Sequence, residues 1–178
     1  MSLRLRRVVT GRNGSGASVV RTDTPPPRTV RLTAAPAFQG ALLWSTDQVP
    51  DLSADTDDPT PTESSFVPPP GGTRLHIMRF PPETAMTAPG VDPAAVAAEQ
   101  RSQMPGLADV FEADGMHVTD TLDYAIVIDG EVWLELDDGA LTRLGPGDVV
   151  VQQGTRHAWR NLGEHPVTMA FVLVGGTR

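Results

Sequence analysis

The sequence predicts an all-β protein built as a sandwich or a barrel. Short apolar runs rich in β-branched residues recur between Met116 and Asn161, and Asp-Gly or Pro-Gly pairs separate them. Such pairs permit the positive φ angles that tight hairpin turns need. The spacing from one turn to the next is about eight to ten residues, which is typical of sandwiches and barrels. The predicted strands are Ala125–Ile128, Val132–Leu136 and Val149–Val151.

Composition limits the class of protein. The 178 residues suggest one domain, spanning 1–178, and the absence of cysteine excludes disulfides and thiolate chemistry. A net charge of −8 without a basic stripe argues against a nucleic-acid partner. No run approaches the ~18 apolar residues of a membrane span, so no membrane partner is expected. The basic N-terminus has no apolar stretch behind it, and a cytoplasmic location is therefore expected.

Two pairs of strands are predicted before residue 45. Leu5–Thr10 and Ala17–Thr22 flank the glycine-rich segment Gly11–Gly16, which indicates a hairpin. The alternative, a phosphate-binding loop, lacks the glycine spacing of the known phosphate motifs. Val30–Thr33 and Ala41–Trp44 are the second pair of candidate strands.

A long polar segment, Ser45–Gly72, separates these strands from the rest of the chain and is rich in aspartate and proline. Clustered carboxylates could bind calcium, but the segment has no Asp-x-Asp-x-Asp-Gly loop. We therefore expect a solvated surface loop. A loop of this length is unusual in a compact domain, and it could wrap the barrel, cover its mouth or reach a partner subunit.

Alternating residues in Thr73–Pro81 predict a strand that places Arg74, His76 and Met78 on one face. His76 has two interpretations. It could point into the barrel and bind substrate or metal, or it could be a packed structural histidine, which is the commoner case for a lone histidine on a strand.

A helical insertion is predicted next. Asp92 is a good N-cap, Pro93 suits the first turn, and Ala94–Gln103 contains strong helix formers. Pro105-Gly106 ends the helix, and a second short turn is expected over Leu107–Glu112. The insertion could serve as a lid, as a dimer arm or only in packing. Further on, Val167–Val174 reads as a final buried strand.

The segment from Met116 to Asn161 resembles the two sequence motifs of the cupin superfamily. The family patterns are G-x5-H-x-H-x3–4-E-x6-G and G-x5-P-x-G-x2-H-x3-N. The counterparts here are His117-x-Thr119-x3-Asp123-x6-Gly130 and Gly147 followed by Gly154-x2-His157-x3-Asn161. The chain departs from the pattern at Thr119, where the family has a second histidine, and at Asp123, where it has glutamate. In the second motif, Gln153 precedes Gly154, whereas the family has a proline two residues before this glycine. The gap from Gly147 to Gly154 is also one residue short.

This resemblance implies a double-stranded β-helix, the jelly-roll barrel of cupins. On that basis the barrel would span 73–176, and 1–72 would form an N-terminal β extension with the acidic loop. The resemblance also implies a homodimer, since cupins commonly pair through their sheets.

The matched motifs also point to a metal site in the barrel. His117, Asp123 and His157 would supply two nitrogens and a carboxylate to a divalent ion such as Fe, Mn or Zn, leaving positions open for substrate. Thr119 is a poor replacement for the missing histidine. The alternative is a hydrogen-bonded polar cluster of the same three residues, in which Asp123 and His157 could still perform catalytic proton transfer.

Four further residues are candidates for substrate binding. Thr119 shares the face of His117, Trp159 shares the face of His157 and could wall an apolar pocket, and His76 is a third candidate. Arg156 could hold a substrate carboxylate in a forked pair, although an ordinary surface arginine is the simpler reading.

These residues favour a metal-dependent enzyme acting on a small organic acid or a polyketide-like intermediate by decarboxylation, enolisation or dehydration. An Fe(II) dioxygenase is the alternative within enzymes. A non-catalytic barrel that binds a small ligand or has a structural role is the alternative outside them, and Thr119 is the main argument for it.

Overall fold

The computed structural model describes residues 3–53 and 56–178. Asp55 of the acidic segment and residues 1, 2 and 54 lie outside this range. The N-terminal hairpin is confirmed: β1 (Arg7–Arg12) and β2 (Ser18–Thr24) pair in antiparallel fashion. Asn13 closes the turn, since its side-chain oxygen accepts hydrogen bonds from the backbone of Ser15 and Ala17, both at 3.0 Å.

The remaining strands form two sheets. They are β3 (Arg28–Arg31), β4 (Gln39–Thr46), β5 (Thr73–Phe80), β6 (Thr121–Asp129), β7 (Val132–Glu135), β8 (Leu141–Leu144), β9 (Val149–Gln153), β10 (Ala158–Arg160) and β11 (Val167–Gly175). The larger sheet has the order β3-β4-β5-β11-β6-β9, and the smaller one has the order β10-β7-β8. This is the predicted all-β, double-stranded β-helix fold.

The core lies between the inner faces of the two sheets. Met78 on β5, Val127 on β6 and Met169 on β11 contribute from the larger sheet, and Val132 and Leu134 on β7 contribute from the smaller one. All five are buried. Inner and outer residues alternate along each strand, because successive side chains of a strand point to opposite faces. Arg74, His76 and Met78 share one face, as predicted, and the structure shows that this face is the inner one.

The Asp129-Gly130 turn shows how closely the chain packs at a strand end. Gly130 has φ 83°, and a Cβ there would approach the Pro166 carbonyl oxygen and Val167 Cα to 2.9 Å. Only glycine suits both the dihedral and the space. This turn lets β6 run directly into β7 and so links the two sheets.

Strands β3 and β4 fall within the predicted N-terminal extension, yet they continue the larger sheet beside β5. The division at residue 72 therefore does not correspond to a break in the sheet. The sequence also gave no indication of β8, whose four residues contain one buried side chain, Leu144.

The helical insertion forms as predicted. After the short α1 (Glu83–Met86), α2 spans Pro93–Gln103, and Asp92 caps it by accepting a hydrogen bond from Ala94 N at 2.9 Å. A 3-10 turn, Ala108–Val110, follows within the range predicted for a second turn. No described helix combines the length and the apolar character that crossing a membrane would require.

The prediction of a fully solvated acidic segment is wrong in part, because Arg74 draws the segment onto the barrel. Arg74 is 1% exposed, and its Nη2 lies 2.9 Å from Glu63, which is itself 6% exposed. The same nitrogen also reaches the exposed Asp47 at 2.8 Å, and Nε donates to the Ser65 carbonyl at 2.8 Å. Next to this network, Phe66 is completely buried in the core. The segment therefore wraps the barrel.

We expect Arg74→Met to lower the free energy of unfolding by about 3–5 kcal/mol, because it leaves Glu63 as an uncompensated buried charge. Urea unfolding measures this. Arg79→Met, on the outer face of the same strand, is the matched control and should change stability by less than about 0.5 kcal/mol. Equal effects of the two substitutions would contradict the role of the buried network.

Candidate functional site

One cavity of about 570 Å³ lies inside the barrel and is covered by α2 and the 3-10 turn after it. A volume of this size is within the range of roughly 300–1,000 Å³ that is usual for small-molecule sites. Most of its lining is apolar: Met78, Met86, Val96, Met104, Phe111, Trp159, Phe171 and Leu173 are among the lining residues. The polar members include His76, His117, Thr119, Asp123 and His157. The cavity therefore contains every predicted site residue except Arg156.

His117 and His157 stand directly opposite each other. Their backbones exchange two hydrogen bonds, His117 N to His157 O at 2.9 Å and His157 N to His117 O at 3.0 Å. In an antiparallel pair, residues that face each other in this way place their side chains on the same side. The two imidazole centroids are accordingly 4.3 Å apart.

Each of these imidazoles is oriented by a backbone carbonyl two residues before it. His117 Nδ1 lies 3.2 Å from the Gly115 oxygen, and His157 Nδ1 lies 3.0 Å from the Thr155 oxygen. Because a carbonyl oxygen only accepts, Nδ1 of each neutral ring must carry the hydrogen. Nε2 is then the atom with a free lone pair on both rings, and it can accept a proton or a hydrogen bond.

Both rings are neutral at pH 7. Burial, and then charge repulsion from His157, lower the pKa of His117 to about 4. Burial also lowers the pKa of His157, although its bond to the Thr155 carbonyl acts in the opposite direction. Two imidazoles in contact cannot both charge without repelling each other, and the apolar surroundings add to that cost.

Asp123 enters the cavity from β6. It follows Thr119 and Thr121 at alternate positions, and all three side chains are buried. The two threonine hydroxyls share a hydrogen bond of 2.7 Å. One carboxyl oxygen of Asp123, Oδ1, is buried without any partner in the described part of the chain. Burial raises the pKa of Asp123 to about 6, and a hydrogen bond from Thr121 partly opposes that shift.

The predicted metal ligands do not form a closed donor set. Within residues 3–53 and 56–178, no three histidine, aspartate or glutamate side chains come together closely enough to hold a metal ion. The two histidines are adjacent, but the position of the family's second motif histidine is occupied by Thr119, whose hydroxyl is bonded to Thr121. The residues as arranged here fit a polar cluster better than a metal centre.

His76 and Trp159 also line the cavity, and their role in substrate binding stays a prediction. His76 is 1% exposed, packs 5.1 Å from the ring of Phe66, and has a buried Nε2 with no partner among the described residues. Burial lowers its pKa to about 3. Trp159 shares the face of His157, and their rings meet edge to face at 5.7 Å.

Arg156 is not among the residues that line the cavity, so the structure does not place it where the sequence predicted that it would hold a substrate carboxylate. Its guanidinium already forms ion pairs with Glu112 and, at 3.0 Å, with Asp137. The neighbours His157 and Arg156 point to opposite faces because they are successive residues of an extended chain. The simpler reading, a surface arginine, describes this residue.

Sequence reasoning missed the contribution of the helical insertion to the cavity. Val96, Gln100, Arg101 and Met104 of this region line it. Val96, Gln100 and Met104 follow one another at intervals of four residues, which places them on one face of the helix with Arg101 beside them, and this pattern was available in the sequence. The sequence could not indicate which part of the barrel that face would cover.

The amino-acid sequence of this chain is similar to those of several fungal proteins. The chain is 32% identical over 160 residues to Phomopsin biosynthesis cluster protein C′ of Diaporthe leptostromiformis, a match that covers 87% of this chain and 69% of the relative. It is 27% identical over 171 residues to the cupin-domain-containing oxidoreductase srdB of Neurospora crassa, covering 94% and 72% of the two chains.

No family model matches the chain. Among solved structures, a cupin 2 conserved barrel domain protein from Salinispora arenicola CNS-205 is similar at 17% identity, with a TM-score of 0.40, over 77% of this chain and 75% of that one.

The raised pKa of Asp123 predicts a pH-dependent cost in stability. The folded protein holds this proton more tightly than the unfolded chain, so ionising Asp123 opposes folding. The cost is absent below the ordinary pKa of 3.8 and fully present above about 6. A shift of this size corresponds to about 3 kcal/mol.

We therefore expect Asp123→Asn to raise the free energy of unfolding by up to about 3 kcal/mol at pH 8 and to leave it nearly unchanged at pH 4. Urea unfolding at the two pH values measures the difference. Asp129→Asn, on the same strand but exposed, is the control. If the variant is no more stable than the original protein at pH 8, ionisation of Asp123 does not lower the stability of the folded protein, and the prediction is wrong.

Proposed function

This chain belongs to the cupin superfamily, and we propose that it is an enzyme that moves a proton on a small apolar carbonyl compound, by enolisation, isomerisation or dehydration. One observation supports this above all others: a largely apolar cavity in the barrel holds two neutral imidazoles and a buried carboxyl with an oxygen that has no partner among the described residues. The names of the relatives, which refer to biosynthesis clusters and an oxidoreductase, are compatible with an enzyme on a secondary metabolite.

Asp123 and His157 have complementary properties for such a reaction. In its protonated form, Asp123 donates its proton to the carbonyl oxygen of the substrate. Nε2 of His157 removes a proton from the adjacent carbon. The products are an enol, an aspartate and an imidazolium, so protons and charge balance. In both outcomes the aspartate takes back the proton on the enol oxygen: if the imidazolium protonates a different carbon of a conjugated enol, an isomer forms, and if it protonates a hydroxyl group on the β-carbon, water leaves.

The remaining residues orient and isolate the reaction. His117 holds His157 in place through the paired backbones, and the carbonyl of Thr155 keeps the lone pair on Nε2. Trp159, Phe171 and Met104 exclude water, which strengthens the interactions of the charged products with each other. General acid–base catalysis of this kind is usually worth about 10²–10⁴ in rate.

The competing proposal is a metal enzyme, including an Fe(II) dioxygenase, with Fe, Mn or Zn held by His117, Asp123 and His157. The term oxidoreductase in the name of one relative favours it. It requires the three side chains to converge, since the described residues form no such group beforehand. The third proposal is a non-catalytic barrel that binds a small ligand.

One experiment separates these proposals: exchange of the α-protons of 2-tetralone in D₂O, followed by NMR at pH 5.5. The acid–base proposal expects exchange above the buffer rate that survives a chelator. It also expects Asp123→Asn and His157→Gln each to reduce the enzymatic rate by about 10²-fold or more. Arg79→Gln, on the outer face of β5, serves as the control.

The other outcomes distinguish the alternatives. Exchange that is lost with chelator and restored by one added metal would favour the metal enzyme, and elemental analysis would identify the ion. Binding of 2-tetralone without exchange above the buffer rate would favour the non-catalytic barrel.

We also propose the homodimer that the family resemblance implies, with the outer face of β6 and β9 as the interface. Strand β9 is an edge of the larger sheet. Tyr124, Ile128, Val149 and Val151 on this face are each at least 40% exposed. The same face of a second copy can pack against this one about a two-fold axis, which would cover these side chains.

We expect Val151→Lys to shift the protein from dimer to monomer in light scattering coupled to gel filtration, since the pair would bring two lysines together without partners. Val20→Lys, on the exposed N-terminal hairpin, is the matched control and should leave the mass unchanged. A monomeric original protein would contradict the proposed dimer.

A further inference from the structure

Gln100 and Arg101 are two polar residues of α2 that line the cavity. Neither side chain forms a hydrogen bond or an ion pair with any other residue in the ranges 3–53 and 56–178. The rest of this helical face is apolar, with Val96 and Met104 buried against the core. Gln100 is half-buried and Arg101 is exposed, so the lid presents an amide and a guanidinium at the rim of the cavity, where their donors can reach a ligand.

The charges around the cavity make Arg101 distinctive. Glu112 also lines the cavity, but Arg156 neutralises it with a hydrogen bond of 2.8 Å from Nε and a second bond from Nη2. Arg101 has no such partner among the described residues that line the cavity. The whole chain carries a net charge of −8, which repels anions. An uncompensated guanidinium at the cavity creates a local positive potential that attracts them.

The helix that carries Arg101 has a fixed position. On its outer side, Gln103 exchanges two hydrogen bonds of 2.8 Å with the backbone of Arg31. Glu99 accepts hydrogen bonds from Thr33 N and Ala34 N at 2.5 and 3.2 Å. These contacts attach α2 to the last residue of β3 and to the segment after it, and they leave its inner face toward the cavity. A guanidinium on a fixed helix is suited to recognise a planar anion.

We propose that the ligand is an apolar carboxylic acid and that Arg101, assisted by Gln100, binds its carboxylate at the lid. This inference rests on the proposed function, because it places the carbonyl end of the same molecule at Asp123 and His157. The apolar middle of the ligand then lies against Met104, Phe111 and the other apolar lining residues. Arg101 thus takes the role that the sequence suggested for Arg156.

The test uses two probes of the same shape and different charge, 2-naphthoate and 2-naphthamide, in isothermal titration calorimetry with the full chain. We expect the original protein to bind naphthoate about tenfold more tightly than naphthamide, as for one charge-assisted contact. Arg101→Gln should remove this preference and leave the naphthamide affinity and the melting temperature unchanged. Arg79→Gln, which removes a charge from the outer face of β5, should keep the preference.

The results separate the two proposals. If both probes bind equally to the original protein, or if Arg101→Gln keeps the preference for naphthoate, the carboxylate contact is overturned while the cavity stands as a binding site. If neither probe binds, both the carboxylate contact and the use of this cavity for apolar ligands are overturned. Loss of naphthamide binding in Arg101→Gln would show that Arg101 supports the cavity rather than the anion, and would overturn the inference.

Discussion

The candidate site depends on two reciprocal backbone hydrogen bonds between His117 and His157. They join a segment that precedes β6 to a segment that precedes β10, and therefore connect the larger sheet with the smaller one at the cavity. Side chains that face each other across such a pair must share a side. The contact between the two imidazoles and the lowering of the pKa of His117 by His157 both follow from this pairing.

A second constraint operates at the opposite edge of the larger sheet, where the N-terminal region completes the cavity. Strands β3 and β4 extend the sheet, and the backbone after β3 provides the surface to which α2 is attached by Glu99 and Gln103. Arg74 then draws the acidic segment inward through Glu63. The N-terminal region, which the sequence suggested was an extension of the barrel, therefore positions α2 over the site.

Much of the fold follows from local signals in the sequence. Asp-Gly turns, alternating apolar residues and the Asp92-Pro93 helix start act over a few residues, and each predicted its element. The burial of Glu63 and Phe66 depends instead on Arg74, which lies about ten residues further on and faces inward. The sequence likewise showed that His117, Asp123 and His157 would enter one interior. It could not show that Arg156 would be taken up by Glu112 and Asp137, because those contacts join separate loops.

The polar atoms of the interior that have no partner among the described residues support the proposal that the cavity binds a ligand. An unsatisfied buried polar group costs about 1–3 kcal/mol, and native structures contain few of them. Among the described residues, His76 Nε2 and Asp123 Oδ1 are two such atoms, and both residues line the same cavity. Apolar residues at these positions would give a more stable barrel. Strand β6 could instead hold a neutral side chain beside Thr121, yet it holds a carboxyl whose pKa is raised to about 6. Polar groups that oppose folding and converge on one apolar space are expected where a ligand satisfies them, and a purely structural barrel offers no reason for their presence.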